Sequence, residues 1–203
     1  MKAYLKYTLI IILLVAVTDM NAQFKSGYIF GVNFSTLTLQ TKGICSNVET
    51  KGGINLGLFF EVPITRRFSF EPRLLFSAKG TDYKIDSVQH SLAPVYIEVP
   101  LNIALRLGNL SLFAGPYFAC GIGGLKMDSG GNLKDISFGS GENKDMRQLD
   151  MGLNLGLGVS IKGILISAQY GLGLANIAPG TTVYSEMKNR VISISICRYG
   201  GEN

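Results

Sequence analysis

Residues 151–161 alternate between large hydrophobic and small side chains, in the run MGLNLGLGVSI. The large residues are Met151, Leu153, Leu155, Leu157, Val159 and Ile161. A period of two predicts a β-strand, because successive side chains of a strand point to opposite faces. The second face holds only Gly, Asn, and Ser, where a strand half exposed to water would usually offer charged side chains. The pattern of the remaining strands is needed to decide which of the two faces meets water.

The same alternation recurs along the chain. It occurs in residues 26–34, 53–62, 68–79, 95–107, 110–121, 164–174 and 190–199, which makes eight predicted strands in all. Tight-turn residues connect three of the consecutive pairs, at 65–67, 108–109 and 162–163. The other connections are long and polar, at 37–52, 80–94, 122–148 and 175–189. Short and long connections therefore alternate.

This arrangement predicts an all-β fold, an eight-stranded antiparallel up-and-down transmembrane β-barrel. The large hydrophobic residues would face lipid and the small residues would face the lumen, where they leave room for bulky inward side chains. Those bulky side chains are Phe59, Tyr96, Tyr117, Arg73 and Arg106. A secreted lipocalin-like barrel is the alternative, but its alternation is inverted, with polar side chains outside. Here the charged residues share the face with the glycines, which favours the membrane barrel.

Composition supports a membrane protein without a spanning helix. Hydrophobic residues make up 47% of the 203 residues and charged residues only 16%, with 25 glycines. No apolar run reaches the roughly 20 residues that a transmembrane helix requires. Residues 1–22 read as a secretory signal peptide, with Lys2 and Lys6 before the apolar stretch 9–17. A membrane anchor is the alternative, but that stretch is too short for one.

Cleavage after Ala22 would leave residues 23–203 as the barrel domain. It would remove Lys2, Lys6 and Asp19 from 19 basic and 14 acidic side chains, which leaves a net charge of +4. This mild charge, without a basic run, gives no indication of nucleic-acid binding.

Six charged residues fall on lumen-facing strand positions, and Lys79 lies at a strand end. The six are Glu61, Glu71, Arg73, Glu98, Arg106 and Asp150. Because buried charges must be paired, we predict a structural charge network that fills a narrow barrel. In this prediction Glu98 and Arg106 share one network with Glu71 and Arg73. An ion path or a pair of catalytic carboxylates is the alternative interpretation.

The sequence predicts no catalytic, cofactor-binding or metal-binding residues. His90 is the only histidine, in a polar loop without a second His or a nearby Cys. The three cysteines, Cys45, Cys120 and Cys197, have no metal-type spacing. Cys45 falls in the first long loop and Cys120 points to lipid, so we expect no disulfide between them.

Two consecutive strands carry motifs of a known family. They are YIEVPLNIALRLG at 96–108, with Tyr96, Glu98, Pro100 and Leu101, and LSLFAGPYFACGIG at 110–123, with Gly115, Pro116 and Tyr117. Gly31, Asn33 and Ser35, and the segment 70–80, fit the same pattern. The chain thus resembles the PorT-like outer-membrane β-barrel family, a group of porin-like eight-stranded outer membrane proteins. The resemblance implies a Gram-negative outer membrane and, through the founding member, an association with protein export by the type IX system.

The expected function is a non-enzymatic one, as a structural scaffold or a loop-mediated binding protein with an accessory role in protein secretion. An even strand number predicts that both termini are periplasmic. The expected partners are outer-membrane lipids, the barrel-assembly machinery during biogenesis, and a secretion-system or surface protein bound through loop 122–148. A small pore and an outer-membrane lipid-modifying enzyme are the alternatives.

Overall fold

The computed structural model describes residues 24–41, 48–85, 88–127, 131–141, 144–180 and 184–200. Within these ranges the chain forms ten β-strands: β1 Lys25–Thr41, β2 Val48–Pro63, β3 Phe68–Ala78, β4 Thr81–Ile85, β5 Val88–Leu107, β6 Leu110–Met127, β7 Leu133–Asp135, β8 Leu149–Ile161, β9 Ile164–Gly173 and β10 Tyr184–Gly200. The same ranges contain no helix that is long and apolar enough to cross a bilayer.

The strands close into an antiparallel barrel with eight strand positions. β3 and β4 together occupy one strand position, because each of them pairs with β2 on one side and β5 on the other. The short β7 pairs only with β6 among the described strands. β10 closes the barrel against β1, in a ladder from Ser26 opposite Gly200 to Thr41 opposite Tyr184. Among the described residues, closure leaves none of the eight strand positions of the barrel wall with an unpaired edge, which a sheet in lipid requires. The predicted fold class is confirmed.

One end of the barrel, the short-turn end, carries the turns 64–67, 108–109 and 162–163, and the opposite end is called the loop end. Between them the outer face is apolar, with exposed residues such as Leu56, Leu112 and Leu155. On β10 this belt runs from Arg190 to Arg198 with Ile192, Ile194 and Ile196 between them. That stretch is roughly 26 Å along the strand, or about 20 Å after a barrel tilt of about 40°.

The small residues of the inner face make room for aromatic rings, as the sequence predicts. A Cβ on Gly152 would lie 2.6 Å from the Tyr117 ring, and a Cβ on Gly156 would overlap the Phe113 ring. Because no real side chain could occupy these positions without displacing the ring, glycine is required there. The bare face of residues 151–161 is therefore the lumen face.

The strands extend further than the sequence predicts. The expected loops 37–52 and 80–94 are mostly strand: β1 continues to Thr41, β2 begins at Val48, and β4 and β5 form a hairpin. Beyond the lipid belt the outer face no longer needs apolar residues, so the alternation fades although the hydrogen-bonded ladder continues. His90, predicted in a loop, lies on β5 opposite Tyr83 in the register.

Two other predictions fall on residues that the structure does not describe. The predicted signal peptide, residues 1–22, lies outside the described ranges, and so does Cys45. The absence of a bridge between Cys45 and Cys120 therefore stays a prediction.

Candidate functional site: the barrel lumen and its cap

Four of the predicted charged residues meet inside the short-turn end. Arg106 Nη2 lies 2.6 Å from Glu61 Oε2 and 3.1 Å from Glu71 Oε1, and Arg73 Nη2 lies 3.5 Å from Glu71 Oε2. They come from β2, β3 and β5, which are neighbours in the barrel wall. We call Glu61, Glu71, Arg73 and Arg106 the short-turn cluster. It holds two cations and two carboxylates, so its formal charges balance.

Aromatic rings surround the deepest member of this cluster. The guanidinium carbon of Arg73 lies 5.3 Å from the ring centre of Phe59 and 4.7 Å from that of Phe113. Tyr199 packs edge-on against Phe59, with 5.6 Å between ring centres. Cation–π contacts of this kind stabilise a charge that has lost its water. Arg73 is therefore held by one carboxylate and two aromatic faces.

A second group of charges lies towards the loop end. Lys79 Nζ is 2.8 Å from Glu98 Oε2 and 3.4 Å from Asp150 Oδ2. Asp150 also accepts hydrogen bonds from Asn189 Nδ2, at 2.8 Å, and from the Tyr117 hydroxyl, at 3.2 Å. We call Lys79, Glu98 and Asp150 the loop-end cluster. It balances two carboxylates against one cation and two neutral donors.

Lys79 is fixed by rings as well as by carboxylates. Its Nζ lies 5.0 Å from the ring centre of Tyr96 and 4.8 Å from that of Tyr117, and its side chain is 3% exposed. The predicted network of six residues leaves Lys79 out, because this residue lies at a strand end. The signal was present: Lys79 has the same parity as Glu71 and Arg73, so it continues the inward face of β3.

The structure buries the side chains of five predicted lumen residues, and Arg106 is 22% exposed. It does not join all six into one network. Glu98 pairs with Lys79 and Arg106 pairs with Glu61 and Glu71, so the expected link between Glu98 and Arg106 is absent from the described ion pairs. The reason is distance along the barrel axis: on β5 these two residues are eight positions apart, or roughly 26 Å along the strand.

A small polar cavity separates the two clusters. Arg73 of the short-turn cluster and Lys79 of the loop-end cluster both line it, together with Asn154 and Gln169. The volume open to the centres of water molecules is about 20 Å³, enough for one or two waters. Asn154 contributes an amide that makes no hydrogen bond within the described chain. The cavity is too small to form a continuous aqueous channel.

An apolar cluster closes the lumen at the loop end. It comprises Leu37, Leu92, Ile136, Met146, Ile177, Ala178 and Met187, with Phe138 packed against it. Backbone hydrogen bonds hold these segments together, from Arg147 N to Ile177 O at 2.8 Å and from Ile177 N to Met187 O at 2.9 Å. We call residues 131–141, 144–148 and 174–180 the cap. Much of the predicted long loop 122–148 is thus folded over the barrel mouth.

Catalytic and metal-binding arrangements were not predicted from the sequence. In the part of the chain that the structure describes, no three residues among His, Cys, Asp and Glu are grouped so that they could hold a metal ion. The lumen carboxylates are instead occupied by Arg and Lys side chains.

A closed eight-position barrel with an apolar belt and a charged, filled interior defines an outer-membrane barrel protein. A family model described as "Outer membrane protein beta-barrel domain" matches residues 19–178. The chain belongs to this family, and its location is the outer membrane of a Gram-negative bacterium. No curated protein sequence matches the chain significantly.

Several solved outer-membrane structures resemble the fold. Neisserial surface protein A is 10% identical, with 85% of this chain and 96% of that chain covered and a TM-score of 0.50. Ail of Yersinia pestis is 13% identical, with 87% and 98% covered and a TM-score of 0.47. OprG of Pseudomonas aeruginosa is 16% identical, with 87% and 91% covered and a TM-score of 0.36. At these identities the likeness concerns the fold alone.

Proposed function

We propose that the protein is a non-enzymatic barrel that acts as a scaffold or binds a partner through its loop-end surface. The resemblance to PorT-like barrels leads us to include an accessory role in protein secretion, with a secretion-system or surface protein as the partner. The barrel-assembly machinery would insert the chain with both termini on the periplasmic side.

The filled lumen is the observation that carries this proposal. An eight-stranded barrel encloses little more than its own side chains. Here two charge clusters, the rings around them and the cap occupy the interior, and the central cavity has room for only one or two waters. Transport of a solute would require these groups to leave, whereas binding at the outer surface requires no change in the barrel.

The cap supplies the surface that we propose for binding. Buried Ile136 and Met146 anchor it, while Leu133, Lys144 and Arg147 are exposed, Leu133 to 68%. Lys126 also forms an ion pair with Asp145, which ties the cap to β6. Exposed residues on a rigid support are the usual location of binding sites.

Planar-bilayer recording of the refolded chain tests the filled lumen. We expect no sustained conductance. Stable channel openings would overturn the scaffold proposal and favour the small pore.

Partner capture from native outer membranes tests the binding surface. Deleting the whole loop would remove the buried anchors Ile136 and Met146, so surface substitutions are the better probe. We expect Leu133→Ser, Lys144→Glu and Arg147→Glu together to abolish co-purification of secretion-system proteins. Thr50 is exposed on β2, so Thr50→Glu serves as the control. This variant should still co-purify the secretion-system proteins. Unchanged capture by a triple variant that still shows the heat-dependent gel shift of a folded barrel would remove the cap as the binding element.

Epitope tags test the orientation. A tag inserted after Gly141 should be labelled by antibody on intact cells, and a tag at the C-terminus only after the outer membrane is permeabilised. The opposite pattern would contradict periplasmic termini.

A further inference from the structure

We propose that the short-turn end binds anionic phospholipid headgroups through four exposed cations, Arg66, Arg67, Lys162 and Arg198, which we call the basic rim. The inference of headgroup binding rests on the geometry of this end. Assigning those headgroups to the inner leaflet rests in addition on the proposed function, through its periplasmic orientation.

Charge is distributed differently at the two ends. Among the described residues of the short-turn end, the exposed charged side chains are all basic, because Glu61 is buried in the lumen against Arg106. Lys25 is half-buried, with Nζ 5.3 Å from the ring centre of Tyr199, and adds positive charge beside the rim. The described part of the short-turn end therefore presents a positive potential to the molecules around it.

The loop end has a mixed surface instead. Its described ion pairs include Lys51 with Asp82, at 3.2 Å, Lys126 with Asp145, and Lys188 with Glu186. Cations that already have a carboxylate partner attract an external anion weakly. The contrast indicates that an anionic ligand would prefer the short-turn end.

The neighbours of the rim identify the ligand as lipid. Exposed Ile64 and Phe68 flank Arg66 and Arg67 in the turn between β2 and β3. Exposed Ile161 and Ile164 flank Lys162 in the turn between β8 and β9 in the same way. The cations therefore lie at the edge of the apolar belt, at the depth where lipid phosphates lie, and long basic side chains reach that depth readily.

Arg198 gives the clearest indication. It has the same parity as Ile192, Ile194 and Ile196, so its side chain points outward from β10 towards the membrane. In the barrel register it lies between Tyr28 and Ile164, and Tyr28 is 78% exposed. A lipid-facing cation is strongly unfavourable in hydrocarbon and nearly neutral at the interface, where tyrosine is also enriched. Arg198 therefore marks the headgroup layer.

The rim follows most of the barrel circumference and leaves a gap at β5 and β6. The turn between β5 and β6 contains Gly108 and Asn109 and carries no charge. Basic residues instead follow the wall from β8 through β10 and β1 to β3. An anionic lipid with a net negative headgroup, such as phosphatidylglycerol, fits this footprint better than a zwitterionic lipid, whose ammonium group cancels the attraction.

Spin-labelled lipids test the proposal with the full chain in mixed phosphatidylcholine and phosphatidylglycerol vesicles. Electron paramagnetic resonance measures the fraction of each labelled lipid that the protein immobilises. We expect wild-type protein to favour phosphatidylglycerol by about twofold or more, with a weaker preference at high salt. The quadruple variant Arg66→Gln, Arg67→Gln, Lys162→Gln and Arg198→Gln should lose this preference.

A matched variant neutralises four cations at the loop end, Lys134→Gln, Lys144→Gln, Arg147→Gln and Lys188→Gln. It should keep most of the preference, and both variants should still show the heat-dependent gel shift. No preference in the wild type, or an equal loss in the two variants, would overturn the proposal. Both vesicle leaflets contain phosphatidylglycerol, so the measurement does not depend on orientation. Epitope tags that reveal an inverted barrel would refute the proposed orientation without changing this result.

Discussion

The two charge clusters of the lumen balance their buried charges in different ways. The short-turn cluster pairs two arginines with two glutamates, and one of its members, Arg106, is 22% exposed. The loop-end cluster has a single cation, Lys79, for two carboxylates and adds hydrogen bonds from Tyr117 and Asn189. Its three charged side chains are all nearly inaccessible. The difference implies that stability depends most on Lys79, because no second cation shares its role.

Removing Lys79 should have the largest effect. Lys79→Met would leave Glu98 and Asp150 buried together without a counter-charge, at a cost of about 3–5 kcal/mol in the free energy of unfolding. Urea unfolding of the refolded barrel, followed by the gel shift, measures this. Lys162→Met, at an exposed turn, should change stability by less than about 0.5 kcal/mol. Equal midpoints for the two variants would show that the loop-end cluster does not stabilise the barrel.

The second prediction compares glutamates of the two clusters. Glu71→Gln would take from Arg73 its carboxylate partner, and we expect a loss of about 3 kcal/mol. Glu98→Gln would leave Lys79 paired with Asp150, so a loss of about 1–2 kcal/mol is expected. The same urea titration measures both. A larger loss for Glu98→Gln would reverse our ranking of the two sites.

The third prediction concerns the rings around Arg73. Gly156→Ala places a methyl group against Phe113, which must move away from Arg73, and overpacking of this kind costs about 1–3 kcal/mol. Gly123→Ala is the control, because a Cβ there has nothing within 4 Å. Unfolding midpoints of the two variants should therefore differ. If both are neutral, the ring around Arg73 can shift without cost.

The smallest expected effect tests whether the clusters are separate. In a double-mutant cycle, Glu98→Gln and Arg106→Gln should add to within about 0.5 kcal/mol, because they lie in different clusters. The Lys79 and Glu98 pair should show a coupling energy of about 0.5–3 kcal/mol. Strong coupling between Glu98 and Arg106 would restore the single network that the sequence predicts.

The face of each strand residue could be predicted because the side-chain period of a strand is two. Leu75 is apolar, although it shares the strand face of Glu71 and Arg73. Its side chain still points into the lumen, as the period predicts, and is 5% exposed. Glycine positions opposite bulky rings could be anticipated as well, since a narrow barrel must balance large and small inward residues. The face of each residue and the placement of the glycines both follow from the alternation of side chains along a strand and from the closure of the sheet.

The partners across the lumen could not be predicted in the same way. Which carboxylate meets Lys79 depends on the stagger of the strands around the barrel, and Asp150 on β8 lies 71 residues away in the sequence. The cap was missed for a related reason. Ile136, Met146 and Ile177 belong to irregular segments without a period, so no pattern marks them as buried.

Pairing of β1 with β10 also has a consequence for the order of events in folding. The ladder joins residues more than 140 positions apart, so its closure has a high entropic cost and depends on β10, the last strand described. Until it forms, β1 and β10 each present an open edge that can pair with another chain. Once formed, it brings Ser26 beside Gly200 at the short-turn end. In a circularly permuted chain, a short linker would join Gly200 to Ser26 and the new termini would lie between β4 and β5. This chain should therefore keep the strand pairing of the barrel.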